Sequence, residues 1–158
     1  MNYPGRIVAL DVGTKRIGVA ACDPTRTLVR VVGMVPAQPI QRAIAAINRI
    51  LQDEEAVELV IGLPWTLEGE IGPQAQRVID FVDRLRPSIA IPIIFYDERL
   101  TSAEAERLLN EQGGFSREDR RKGRVDEIAA GLILEDYLQE ARFRAQRPPL
   151  ENQEWELE

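Results

Sequence analysis

The chain has 158 residues, 44% of them hydrophobic, which is enough for one domain with a single core. It contains no histidine, which excludes Ser-His and Cys-His nucleophilic pairs and zinc sites built on histidine. One cysteine excludes an intrachain disulfide, and the apolar runs are too short to span a membrane, so we expect a cytoplasmic protein. Any chemistry must come from carboxylates, hydroxyls, Lys or Arg, or from a metal on oxygen ligands.

The net charge of −6 at pH 7 argues at first against a nucleic-acid partner, but the charge is unevenly distributed. The tail from Pro148 to Glu158 holds four glutamates and no cation. A cationic stretch precedes the last predicted helix and contains Arg117, Arg120, Arg121, Lys122 and Arg124. This stretch is a candidate surface for phosphates, although a run of charge is more often a solvated loop.

The chain begins with three predicted strands. The apolar run Ile7 to Leu10 predicts a buried strand that ends at Asp11, and a small polar turn follows it. A second run, Ile17 to Cys22, predicts a hairpin partner with Cys22 as a small core residue. Thr27 to Val35 is rich in strand-forming residues. We therefore expect an antiparallel three-stranded start.

Helices and strands alternate in the remainder of the chain. We predict, in order, a helix over Ile40–Gln52, a buried strand over Val57–Leu63, a helix from Pro73 to about Leu85, a buried strand over Ile91–Tyr96, a helix including Ala103–Asn110, a basic loop over Phe115–Gly123 and an amphipathic helix from Val125 to about Phe143. Residues 1–145 should form one domain, and the acidic residues 146–158 a disordered tail.

The element order β-β-β-α-β-α-β-α-α predicts an α/β fold with a mixed five-stranded sheet and helices on both faces. This is the order of the ribonuclease-H-like fold, in which the first strand lies centrally. The carboxyl ends of the first strand and of both later parallel strands then meet at one edge, where open α/β sheets place their sites.

The turn after the first strand has the composition of a phosphate or metal site. Asp11 stands at the end of a central strand, followed by Gly13, Thr14 and two cations, Lys15 and Arg16. Such a carboxylate could hold a divalent metal against a phosphate, and the glycine could allow close approach of the backbone. The alternative is an ordinary turn with Lys and Arg in solvent, and this stretch alone does not separate the two.

Three motifs in the expected order resemble the YqgF family, also called RuvX, over roughly Arg6 to Leu138. They are Leu10–Ala20, Val60–Pro64 with the Gly-rich loop to Pro73, and Asp97–Ser102 followed by Val125–Ala130. Members are described as pre-16S rRNA nucleases and, in older descriptions, as Holliday-junction resolvases. The resemblance implies a ribonuclease-H-like hydrolase that cleaves phosphodiester bonds with Mg2+ or Mn2+, at a site that takes two metal ions.

Carried over by matching position, the family's catalytic and metal-binding acids are Asp11, Glu98 and Asp126. Cations and small polar residues near them are candidates for phosphate or nucleic-acid contacts: Gly13, Thr14, Lys15, Arg16, Arg99, Thr101, Arg117, Arg120, Arg121, Lys122 and Arg124. Each acid also has a structural alternative. Asp97 and Glu98 could cap a helix, and Asp126 could be a first-turn acid stabilised by the helix dipole. Trp65 is more readily explained as a loop anchor than as a base-stacking residue.

The resemblance leaves the substrate open. The leading interpretation is a nuclease of structured RNA that processes the 5′ end of pre-16S rRNA during ribosome biogenesis. A branched-DNA resolvase would use the same site, and a symmetric junction would favour a homodimer over a monomer. The other classes are a non-catalytic nucleic-acid-binding module and a sugar-kinase or actin-like ATPase. The latter needs two copies of this fold, more than 158 residues allow.

Overall fold

The computed structural model describes residues 2–64, 71–97 and 124–146, and for residues 124–127 and 146 it describes the backbone alone. Within these ranges the elements are β1 (Arg6–Val12), β2 (Arg16–Cys22), β3 (Val29–Pro36), α1 (Ile40–Asp53), β4 (Ala56–Leu63), α2 (Pro73–Leu85), a short 3-10 helix (Arg86–Ser88), β5 (Ile93–Asp97) and α3 (Arg124–Gln146). None of the helices in these ranges combines the length and apolarity needed to cross a bilayer.

The strands form a five-stranded sheet in the order β3-β2-β1-β4-β5, so β1 is its central strand. β1 pairs antiparallel with β2, placing Asp11 opposite Gly18, and parallel with β4, placing Leu10 opposite Ile61. β2 also pairs antiparallel with β3, and β4 pairs parallel with β5. The mixed sheet and the central first strand confirm the predicted fold class.

Alternation along β1 divides the core into two layers. Val8 and Leu10 face the cluster that contains the buried residues of α1 and α2. Ile7 and Ala9 face the other cluster, together with Ala130 and other buried residues of α3. Successive strand side chains point to opposite faces, so β1 is buried on both sides while its polar end lies at the sheet edge.

The structure corrects one prediction about burial. The last strand was expected to be buried, but β5 is an edge strand whose side chains are half-buried or exposed, with Phe95 36% exposed. Its apolar composition therefore reflects pairing with one neighbouring strand and partial packing on both layers, with Ile93 in the α1 and α2 layer and Ile94 and Tyr96 in the α3 layer. Cys22 is fully buried, as expected. The predicted helix over 103–110, the basic loop over 115–123 and the tail from 147 onward lie outside the described residues.

The β1–β2 turn requires a glycine for a reason internal to the turn. The Gly13 amide donates to the Arg16 carbonyl oxygen at 2.9 Å, and a Cβ at Gly13 would lie only 2.5 Å from that same oxygen. The Ala37 amide donates to the Lys15 carbonyl oxygen at 2.9 Å, which ties the turn to the segment before α1. The geometry of the turn therefore gives a structural reason for a glycine at position 13, in addition to the predicted contact with a phosphate.

Gly13→Ala should lower the free energy of unfolding by about 1–3 kcal/mol, because the added methyl group overpacks the turn against a backbone oxygen. Gly131→Ala is the matched control: among the residues that the structure describes, a Cβ there would meet only Val31 Cγ2, at 4.0 Å. Replacing a glycine inside a helix should raise stability by about 0.5–1 kcal/mol. Urea unfolding of both variants measures the effects, and equal stabilities would contradict the steric account.

A polar network with Arg26 and Glu58 at its centre lies at the amino-terminal edge of the sheet, meaning the end where β1 and β4 begin. Arg26 Nε donates to the Gly5 carbonyl oxygen at 2.9 Å, and its guanidinium lies 3.9 Å from the Glu58 carboxylate. The Tyr137 hydroxyl donates to Glu58, and Arg142 donates to the Arg26 carbonyl oxygen at 2.7 Å. The carboxyl-terminal half of α3 is thereby fastened to this edge.

Burial and the hydrogen bond to Glu58 raise the pKa of Tyr137 to about 12. An unfolded tyrosine loses its proton near pH 10, so between about pH 10 and 12 the folded state holds a proton that the unfolded state has lost. The free energy of unfolding should therefore fall across this interval, and less steeply in Tyr137→Phe. Urea unfolding at increasing pH tests this, with the exposed Tyr3→Phe as control; identical slopes in all three proteins would refute it.

Candidate active site

Asp11 is the only one of the three predicted catalytic acids whose side chain the structure describes. It is the penultimate residue of β1, half-buried, and lies opposite Gly18 of β2. Ile7 and Ala9 face α3, so Asp11 continues the row of β1 residues on that face of the sheet. The carboxylate is therefore at the carboxyl end of the central strand, as predicted.

The turn that follows presents its polar side chains at the same edge. Thr14 and Lys15 are exposed, and Arg16, the first residue of β2, is half-buried. The backbone of this turn is engaged in the bonds from Gly13 to Arg16 and from Ala37 to Lys15. Of the predicted phosphate-binding residues, Gly13, Thr14, Lys15 and Arg16 are thus within a few residues of Asp11 in one ordered turn.

The direction of α3 follows from contacts along its length. Tyr137 and Arg142 contact Glu58 and Arg26 at the amino-terminal edge of the sheet. Gly131 lies beside Val31, which pairs with Ala20 midway along the sheet. The backbone of α3 therefore runs from the carboxyl edge of β1 toward its amino edge. Its first turn, which includes Asp126, begins on the side of the sheet where Asp11 lies.

Helix and strand lengths agree with this direction. The eleven steps from Asp126 to Tyr137 along the helix rise about 16 Å, and the four steps from Ile7 to Asp11 along the strand span about 13 Å. Ile7 pairs with Glu58, the residue that Tyr137 contacts. The start of α3 and the end of β1 therefore lie at similar distances from the Ile7–Glu58 pair.

The other predicted site residues lie outside what the structure describes. Glu98 directly follows Asp97, the last residue of β5, which pairs with Leu63 of β4. Within α3, the side chains of Asp126 and Arg124 are outside the described set. The remaining candidates beyond the described residues are Arg99, Thr101, Arg117, Arg120, Arg121 and Lys122. Among the described side chains there is no group of three acids or cysteines able to hold a metal.

A cleft on the opposite face of the same edge was missed by sequence reasoning. It has a volume of about 230 Å3 and lies between the β1–β2 turn, the segment before α1, and α2. Its lining residues are Val12, Gly13, Thr14, Ala37, Gln38, Ile40, Gln74, Arg77, Asp80, Phe81 and Arg84. The polar lining residues of α2 recur at helical spacing. In the sequence alone, this spacing indicates a solvated helix face.

Comparison with known proteins identifies a matching family and similar sequences. The family model described as "RuvX: Holliday junction resolvase" matches residues 5–140. A relative from Roseiflexus sp. (strain RS-1), named "Putative pre-16S rRNA nuclease", is 48% identical over 141 residues, which are 89% of this chain and 99% of the relative. A relative of the same name from Chloroflexus aurantiacus is 41% identical over 89% of this chain and 91% of its own.

A solved structure supports the fold independently. Thermus thermophilus RuvC in complex with a Holliday junction substrate aligns with a TM-score of 0.53 at 13% identity, covering 85% of this chain and 96% of that one. At that identity the likeness concerns the fold, a ribonuclease-H-like mixed sheet. The family match extends over most of the chain, as does the identity with its relatives. The chain belongs to the RuvX family.

Proposed function

We propose that this protein is a nuclease that hydrolyses phosphodiester bonds in structured RNA, and that its substrate is the 5′ end of pre-16S rRNA. The identity of 48% with a relative that carries the pre-16S rRNA nuclease name, over nearly its whole length, carries this proposal. The position of Asp11 at the carboxyl end of the central strand supports it. We expect the activity in the cytoplasm, where bacterial ribosomes are assembled.

The residues available fit a divalent metal with oxygen ligands. The chain has no histidine, and Asp11 offers a half-buried carboxylate at the edge where β1, β4 and β5 end. Hard cations such as Mg2+ and Mn2+ take such oxygen donors. Asp11, Glu98 and Asp126 are the proposed ligands. Two bound ions would stabilise charge on the attacking and leaving oxygens of the phosphodiester.

Two features of the backbone support a shared site. Ile94 and Tyr96 of β5 pack in the α3 layer, and Glu98, two residues after Tyr96 in the sequence, would continue that alternation. The first turn of α3 begins on the Asp11 side of the sheet, and a helix amino terminus favours both carboxylates and phosphates. Lys15, Arg16 and the cations from Arg117 to Arg124 would then neutralise the nucleic-acid backbone around the acids.

A Holliday-junction resolvase is the second candidate, because the matching family model carries that description and RuvC shares the fold. Both activities would use one metal site and would recognise shape and phosphates more than base identity. They differ in symmetry, since a four-way junction is matched by a two-fold dimer with two sites. The non-catalytic alternative predicts binding without cleavage.

Asp11→Asn should reduce metal-dependent cleavage at least about 100-fold, because the amide removes one negative ligand from the proposed metal site. Asp53→Asn is the control: Asp53 is an exposed acid of α1 whose side chain is 72% accessible. It should cleave like the wild type. Initial cleavage rates with Mg2+ or Mn2+ measure the effect, and circular dichroism checks the fold. Full activity in Asp11→Asn would falsify the assignment.

A precursor 16S rRNA and a synthetic four-way DNA junction, tested side by side, should give cleavage of the RNA in Mg2+ or Mn2+ and none in EDTA. Size-exclusion chromatography of the active protein should show a monomer. Preferential cleavage of the junction by a dimer would support the resolvase instead. Binding of either substrate without any metal-dependent cleavage would support the non-catalytic module.

A further inference from the structure

The cleft between the β1–β2 turn and α2 is separate from the Asp11 side of the sheet but shares its edge. Val12 lines the cleft, whereas Asp11, one residue earlier, belongs to the face that α3 covers. The turn residues Gly13 and Thr14, which follow them in the chain, also line the cleft. A strand of nucleic acid crossing this turn would present one phosphate to Asp11 and the adjoining nucleotide to the cleft.

The walls of the cleft combine an apolar surface with two cations. Phe81 is 9% exposed, and with Ile40 and Val12 it provides apolar surface inside the cleft. Arg77 and Arg84 are exposed and form no ion pair with any side chain in the described part of the chain. Guanidinium groups of this kind suit phosphate oxygens, which accept two parallel hydrogen bonds.

The acidic residue of the cleft offsets only one of these two positive charges. Asp80 lies between Arg77 and Arg84 on α2, and its carboxylate accepts a hydrogen bond from Gln76 Nε2 at 2.9 Å. The cleft therefore keeps an excess of positive charge next to apolar surface. Its volume of about 230 Å3 is smaller than drug-sized ligand sites of about 300–1,000 Å3. The space suits one base rather than a base pair.

We propose that this cleft binds one unpaired nucleotide of the substrate strand adjoining the cleaved phosphodiester. The base lies against the apolar wall formed by Phe81 and Ile40, and the phosphate contacts Arg77 and Arg84. This inference rests on the proposed nuclease function and adds a substrate class to it: the strand is single where it enters the cleft. Unpaired bases can be splayed into such a site, whereas paired bases cannot.

Binding measured without cleavage tests the cleft independently of catalysis. Fluorescence anisotropy in EDTA compares the wild type with Arg77→Ala and Arg84→Ala, using a single-stranded oligonucleotide that spans the cut position. Each variant should bind about tenfold more weakly, and the slope of log affinity against log salt should fall by about 0.7 for each phosphate that an arginine no longer neutralises. Ribo- and deoxyribo-oligonucleotides should both show the effect.

Arg86→Ala is the matched control, because Arg86 is an exposed cation two residues beyond Arg84 that does not line the cleft. It should bind like the wild type. A fully paired duplex of the same sequence should distinguish the three variants much less, since its bases cannot enter the cleft and only general attraction to phosphates is lost. Circular dichroism verifies that the alanine variants remain folded.

The outcomes separate this inference from the proposed function. Suppose that the wild type cleaves, and that the Arg77→Ala and Arg84→Ala variants bind like Arg86→Ala. The proposed nucleotide site in the cleft is then overturned, and the proposed nuclease function is unaffected. Weak binding by those variants, with no cleavage of any substrate in Mg2+ or Mn2+, would support the cleft and overturn the nuclease. Equal losses on single strands and duplex, or no binding by the wild type, would also overturn the cleft.

Discussion

The hydrogen bonding of β1 on both of its edges is the constraint around which this molecule is arranged. β1 pairs with β2 on one side and with β4 on the other, and Ile7 to Leu10 are fully buried. Shifting its register by one residue would exchange the residues of the two core layers, so the register is strongly specified. The end of β1, with Asp11 and the turn after it, is consequently held in one position by the whole sheet.

The same alternation separates two surfaces at the carboxyl edge. Odd-numbered residues of β1 face α3 and lead to Asp11, whereas even-numbered residues face α1 and α2 and lead to Val12 in the cleft. Two neighbouring residues therefore belong to opposite faces, with the Gly13 turn as the boundary between them. A strand of nucleic acid crossing this boundary could contact both surfaces at once, which links the proposed cleavage site to the proposed nucleotide cleft.

The two edges of the sheet carry different physical roles. At the amino edge, Arg26, Glu58 and Tyr137 join the sheet to α3 through hydrogen bonds and an ion pair. These contacts orient α3, so that its first turn begins near the carboxyl edge of the sheet. The carboxyl edge itself carries exposed polar groups and a cleft, as is usual for the ligand-binding edge of open α/β sheets. The stabilising contacts therefore lie toward the carboxyl end of α3, and its amino end begins on the side of the proposed metal site.

Local patterns in the sequence determined the elements and the chemistry available to them. The apolar run before Asp11 predicts a buried strand because successive side chains point to opposite faces, so an uninterrupted apolar run is apolar on both. The absence of histidine restricts the possible metal ligands to oxygen groups. The motif resemblance supplied Glu98 and Asp126 as proposed metal ligands, because local patterns alone explain them as a helix-capping acid and a first-turn acid.

Contacts between distant elements were decided only by the tertiary structure. The edge position of β5 depends on which strands pair, and an apolar run is compatible with either a central or an edge strand. Arg77 and Arg84 have the spacing of a solvated helix face, and only packing of α2 beside the β1–β2 turn makes them the wall of a cleft. Gly13 matches the predicted phosphate-binding turn in sequence, and only the structure adds a steric reason for a glycine there, the Arg16 carbonyl oxygen 2.5 Å from where a Cβ would stand. Periodicity records which face of an element is apolar, but the element that meets that face depends on the whole chain.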